Sequence, residues 1–190
     1  DDDSGDNGRL KTVYETGWRT LRWQADDAND DLLVYDVAFR AEGDETWYPM
    51  ATGLEEDYFS FDAVSLPDGL YRFQVVASDA RSRCNVSALD TTRISEPVVI
   101  DHTPPERVAT APDRAASALE VEIADQLNPL REAMVSIDGG IWRVVNPLDG
   151  MLDERRERFR IEDVTDGQLV LLRVRDAAFN VVTYNLSSQP

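Results

Sequence analysis

The chain has 190 residues, with 37 Asp plus Glu against 19 Lys plus Arg and a net charge of −18. Such a surface repels phosphate backbones and anionic lipids, so nucleic acid and membrane surfaces are disfavoured partners; cations, basic partners or simple solubility remain. Hydrophobic residues make up 42%, enough for a packed core in one large or two ordinary domains, and no apolar run approaches the roughly 20 residues of a membrane helix.

Residues 1–8, Asp1-Asp2-Asp3-Ser4-Gly5-Asp6-Asn7-Gly8, are acidic and Gly-rich and read as a flexible linker, so the chain reads as a piece of a longer protein. Alternation then sets in. Leu21, Trp23 and Ala25 alternate with Arg22 and Gln24. Leu33, Tyr35, Val37 and Phe39 form a second set, and Tyr71, Phe73, Val75 and Ala77 a third. Strand side chains point to opposite faces with period two, so each set marks one buried face, and Trp23 is expected in the core. Turn signals separate the sets at 26–31, 42–44 and 67–69, and further strands are expected near 10–14, 46–50, 58–62 and 96–100.

Thr103-Pro104-Pro105 punctuates the chain, since consecutive prolines cannot continue a central strand. A domain boundary is expected at 101–105, with protease cleavage there or in the acidic N-terminus. Beyond the boundary, Leu119, Val121 and Ile123, then Ala133, Val135 and Ile137, then Phe159 and Ile161, then Val170, Leu172 and Val174 repeat the alternation. Asp138-Gly139-Gly140 supplies a hairpin turn that needs positive φ. Met151 to Arg160 is so rich in charge that an exposed loop or a single helical turn is expected. Landmarks recur at near-constant offsets: Trp47 and Trp142 lie 95 residues apart, Asp68-Gly69 and Asp166-Gly167 98, Asp79-Ala80 and Asp176-Ala177 97. These offsets imply a duplicated domain. The expected organisation is an acidic linker at 1–8, a first domain at 9–100, linker and first strand region at 101–117, and a second domain at 118–190.

Trp23, together with the run Leu66-Pro67-Asp68-Gly69-Leu70-Tyr71-Arg72-Phe73, resembles fibronectin type III domains over about 9–100. The resemblance implies that the Tyr71 hydroxyl bonds to upstream backbone as a tyrosine corner. In the second half Gln168 stands at the Tyr71 position. Arg175-Asp176-Ala177-Ala178-Phe179-Asn180 resembles the ending of bacterial Ig-like repeats, with Phe179 where those carry Gly. Together the halves are similar to C-terminal modules of large extracytoplasmic bacterial proteins. The fold class expected is all-β, two tandem Ig-like or fibronectin type III-like antiparallel β-sandwiches, in an extracellular, periplasmic or envelope setting.

Asp26, Asp27, Asn29, Asp30 and Asp31 crowd oxygen ligands between two expected strands, which is what calcium requires. Asp and Asn also form ordinary turns by bonding nearby backbone, and that reading is preferred. No other cofactor is expected. Trp18, Trp47, Tyr48 and Trp142 could form a sugar-stacking platform, although packing between strands is the preferred reading. Glu55-Glu56-Asp57 and Asp153-Glu154 with Glu157 read as solvated acidic faces rather than a glycosidase pair. A single cysteine, Cys84, excludes an intrachain disulfide, its role is open, and the single histidine, His102, reads as a solvated linker residue. Asn85-Val86-Ser87 fits a glycosylation sequon. No catalytic apparatus emerges. The expected function is a structural or protein-binding module, with neighbouring domains of its parent chain as partners. A carbohydrate-binding module is the alternative, and a carboxylate-dependent hydrolase ranks below it.

Overall fold

The structure, a computed structural model, describes residues 17–29, 31–79, 89–113 and 117–187. The expected strand near 10–14, Asp30, Cys84 and the 85–87 sequon lie outside the described residues. Among those described the fold is all-β, with one turn of 3-10 helix at Ala63–Ser65. The strands in chain order are β1 Trp18–Arg22, β2 Val34–Ala41, β3 Tyr48–Leu54, β4 Tyr58–Asp62, β5 Gly69–Ser78, β6 Asp90–Ile94 and β7 Val98–Ile100. Then follow β8 Glu106–Asp113, β9 Ala118–Ala124, β10 Leu130–Ile137, β11 Arg143–Val144, β12 Arg156–Ile161, β13 Val170–Asp176 and β14 Val181–Asn185.

The same strand order occurs twice. In the first half β1 pairs with β4, and a second sheet runs β3-β2-β5-β6, with β7 added beside β5. In the second half β9 pairs with β12 and with β8, and the other sheet runs β11-β10-β13-β14. All the pairings described are antiparallel. Equivalent residues sit 98 apart through much of the repeat: Leu21 with Leu119, Val37 with Val135, Phe61 with Phe159. By packing, the chain divides into two compact units with boundaries that cross strands. One comprises Asp1–Ala38, Pro49–Leu66 and Val75–Arg93, and the other Phe39–Tyr48, Pro67–Gln74 and Ile94–Pro190.

The core of the second unit shows why these sequences become strands. Leu119, Val121 and Ile123 of β9 face Val135 of β10, Phe159 of β12 and Leu172 of β13 in one buried cluster. Phe159 is fully buried. Its strand, β12, carries the expected alternation of Phe159 and Ile161 but starts at Arg156, so the loop expected at Met151 to Arg160 holds only over 151–155. Along β12, Glu157, Phe159 and Ile161 point inward, while Arg156 and Arg160 point outward and pair with Glu122 and Glu120 of β9. The charge that suggested a loop is the outer face of a strand, neutralised across the ladder. Glu157 also departs from its solvated-face reading: it is buried, and its carboxylate accepts the backbone N–H groups of Asp153 and Glu154 at 3.1 and 3.0 Å.

The hairpin turn forms as its residues dictate, with Asp138 at φ 51° and Gly139 at φ 71°. Tyr71 is buried, and its hydroxyl donates to the Pro67 carbonyl at 2.8 Å, the corner implied by the resemblance. Trp23 is a correction. It follows the last residue of β1, so its ring is half-buried rather than enclosed, and it meets Tyr35 edge-on at 5.3 Å.

Candidate functional site

The acidic turn after β1 is organised by Asp27. Its Oδ1 accepts the N–H groups of Asn29 at 2.8 Å and Asp31 at 3.2 Å, so the side chain closes the turn as an Asx motif. Asp27 and Asp31 converge with Asp79 at the end of β5, one carboxylate oxygen from each lying within 4.8 Å of the others. Asp79 is 1% exposed, and its Oδ1 accepts the Leu89 N–H at 2.8 Å. Asp26 and Asn29 are exposed and stand outside this trio. Asp26 instead acts on Tyr35, whose hydroxyl pKa is raised by burial first and by Asp57 and Asp26 after that.

A second trio lies inside the second compact unit: Asp101, Asp125 and Asp176, again within 4.8 Å of one another. Asp125 stands 98 residues after Asp27 in the equivalent turn, and Asp176 stands 97 after Asp79 at the end of the equivalent strand. Asp125 repeats the turn-closing role, its Oδ1 accepting from the N–H groups of Leu127 at 2.8 Å and Asn128 at 2.6 Å. Asp101 and Asp176 are 4% and 1% exposed. Burial raises the Asp176 pKa; hydrogen bonds from the Asn180 side chain and backbone oppose the rise, and the charges of Asp101 and Asp125 add to it. Sets of carboxylates this close could hold a calcium ion, but every oxygen bond described here is made to an N–H donor of the protein.

The Asp101 trio is tied to the segment 101–105. The Asn128 amide donates to the Asp101 carboxylate, and Asn180 Nδ2 reaches the carbonyls of Asp101 at 3.2 Å and Thr103 at 3.4 Å. Asp68 accepts from the His102 N–H at 2.8 Å and from the Thr103 hydroxyl. Tyr184 donates to the Pro105 carbonyl at 2.6 Å while accepting the Arg107 N–H at 3.1 Å. The bonds from Asp68, Asn128, Asn180 and Tyr184 pin a stretch that the prolines alone would only stiffen.

The candidate aromatics divide by exposure. Trp18 and Tyr48 are exposed. Trp47 and Trp142 are half-buried, each with a guanidinium over its ring: Arg40 at 4.8 Å and Arg173 at 5.1 Å. Phe179 holds the left-handed conformation at φ 71°, where the resembling repeats carry Gly, with Arg175 over its ring at 5.0 Å. A non-glycine residue pays roughly 1–2 kcal/mol for that conformation.

No family model matches the chain, and no curated protein matches it. Among solved structures, chicken CNTN1 FN1-FN3 domains are similar in fold at 13% sequence identity and a TM-score of 0.42. That match covers 92% of this chain and 63% of the other, so the chain spans under two thirds of that structure's length. The sandwich assignment itself rests on the strand order and pairing. No helix among the described residues is long and apolar enough to cross a membrane.

Two features of the site escaped sequence reasoning. Asp79 and Asp176 served only as duplication landmarks, yet each is the buried member of a carboxylate trio. Tyr184 carried no signal, because its partners Pro105 and Arg107 are distant in sequence.

Proposed function

We propose that the chain is a non-catalytic spacer or protein-binding module of a larger secreted or envelope bacterial protein. Its domains span 9–100 and 118–190, joined through 101–117 and preceded by the acidic linker at 1–8. The observation that carries this reading is the clamp on 101–105. A connector held by Asp68, Asn128, Asn180 and Tyr184 is ordered within its own compact unit rather than left as a free linker, as a spacer requires. The Ig-like architecture, common among cell-surface proteins, supports the extracytoplasmic setting.

The test is limited proteolysis of the whole chain with thermolysin. Contrary to the cleavage expected from the prolines, the hydrogen-bonded native chain should resist cleavage within 101–105, and Asn180→Ala should open it there. Prompt cleavage of the native connector would overturn the rigid-spacer reading. Carbohydrate binding is a second reading, favoured by the exposure of Trp18 and Tyr48. Glycan-array binding that disappears in Trp18→Ala would replace the first reading with it.

A further inference from the structure

The outward faces of the two sheets in the second half balance charge in opposite ways. On β12, Arg160 meets Asp113 at 3.0 Å, Glu120 at 2.9 Å and Glu162 at 4.0 Å, so one cation has three carboxylates. On the β10-β13 face, Arg173 and Arg175 share, among the described residues, the single carboxylate of Glu132, at 3.7 and 3.1 Å. The register explains the grouping: Glu132 lies opposite Arg175, which lies opposite Val181. In a chain with 37 carboxylates to 19 Lys plus Arg, this face inverts the ratio.

Its apolar groups are unusually open. Phe179 is 74% exposed and Val181 50%, both beside Arg175, and an open hollow of about 220 Å³ is lined by Glu132, Arg173, Arg175 and Val181. The left-handed φ of Phe179 adds an independent observation. A position whose backbone suits glycine is filled by an aromatic that does not bury itself, and strain of that kind collects at sites of function. Arginine and aromatic residues are also the side chains that dominate the energetics of protein interfaces.

We propose that this face, centred on Arg173, Arg175 and Phe179, docks an acidic segment of a partner protein in which carboxylates are interspersed with aliphatic side chains. Carboxylates of the segment supply the charge that Glu132 alone does not, and its aliphatic groups cover Phe179 and Val181. Arg175 meets Glu132 through Nε and Nη2, and Arg173 Nη2 donates to Met134 Sδ, while each guanidinium carries five N–H donors, so a further carboxylate has donors to meet. This deepens the interaction half of the function proposed above and rests on it.

The probe is an eight-residue peptide of alternating glutamate and leucine, titrated into the whole labelled chain while the Nε–Hε resonances of Arg173 and Arg175 are followed. A matched glutamine and leucine peptide is the control. The acidic peptide should shift both resonances saturably and more weakly as salt rises, and the neutral peptide should not. Arg175→Gln should bind about tenfold more weakly, as should Phe179→Gly, in which the glycine suits the backbone and keeps the fold. The proposal is overturned if the shifts do not saturate, if the neutral peptide binds equally, or if Phe179→Gly binds as the native chain does. Any of these results leaves the connector proteolysis unchanged, so failure of this face is distinguishable from failure of the spacer reading.

Discussion

The two carboxylate trios share a skeleton and differ in one member. Asp27 and Asp125 close equivalent turns, and Asp79 and Asp176 end equivalent strands. The third carboxylate is Asp31 in the first trio, from the same turn, but Asp101 in the second, from the connector. One repeat uses the position to finish its own loop, and the other uses it to fasten the chain that enters it. The two halves thus share the local chemistry of Asp at a turn and differ in what the buried carboxylate meets.

The largest expected effects compare the two cores. Phe159→Ala should cost about 3–5 kcal/mol, the range for a fully enclosed aromatic, whereas half-buried Trp23 should cost less than about 3 kcal/mol on the same change. Urea denaturation checks both, and equal losses would mean that the indole of Trp23 is as enclosed as Phe159.

Next comes the contrast between trios. Asn180→Ala removes donors from the Asp176 carboxylate and from the Asp101 and Thr103 carbonyls, and should cost about 2–3 kcal/mol. Asp27→Ala removes two turn bonds at a partly exposed site but also relieves repulsion, and should cost under about 1 kcal/mol. A larger loss in Asp27→Ala would reverse the assignment of which trio carries the greater structural burden.

A smaller effect is pH-dependent. The folded-state pKa of Asp176 is raised, chiefly by burial, so the native state holds this proton to higher pH than the unfolded chain does. Its contribution to stability is therefore present below the unfolded value near 3.9 and lost as pH rises through the raised value. Asp176→Asn should melt higher than the native chain at pH 7, and the difference should shrink on acidification. A difference that does not change with pH would show that the carboxyl is not strained by burial.

The smallest expected effect is that of calcium. Since the described carboxylate bonds in both trios are already made to protein N–H donors, millimolar calcium should raise the melting temperature no more than sodium chloride of equal ionic strength. A bound ion at about 100 times its Kd would instead add about 2.7 kcal/mol. A clear calcium-specific rise, lost in Asp27→Ala or Asp176→Asn, would make the corresponding trio a metal site.

Much of the fold was legible because it rests on local alternation: the β2, β5, β9, β10 and β13 sets, the Asp138-Gly139 turn and the Tyr71 corner all lie in contiguous sequence. β12 was legible in Phe159 and Ile161, but its first residues read as a loop because its outward arginines are balanced by glutamates of β9 more than 30 residues away. The candidate site was less legible. The acidic turn at 26–31 pointed to Asp27 and Asp31, but Asp79, Asp101 and Asp176 look like any surface carboxylate in sequence. Their burial depends on donors such as Asn128 and on strand ends brought together only by the sheets.

The bonds of Tyr184 and Arg107 have a mechanical consequence. Asn180 contacts 101 and 103, Tyr184 contacts Pro105 and Arg107, and the Arg107 guanidinium reaches the Asn185 carbonyl at 3.1 Å. The partner numbers rise together, so the entering segment and the exit strand β14 run side by side in the same direction. Tension applied at the connector and at the far end of β14 therefore pulls these bonds lengthwise past one another. They must fail together in shear, rather than opening one after another as in a zipper, and the second half should yield to stretching only at high force.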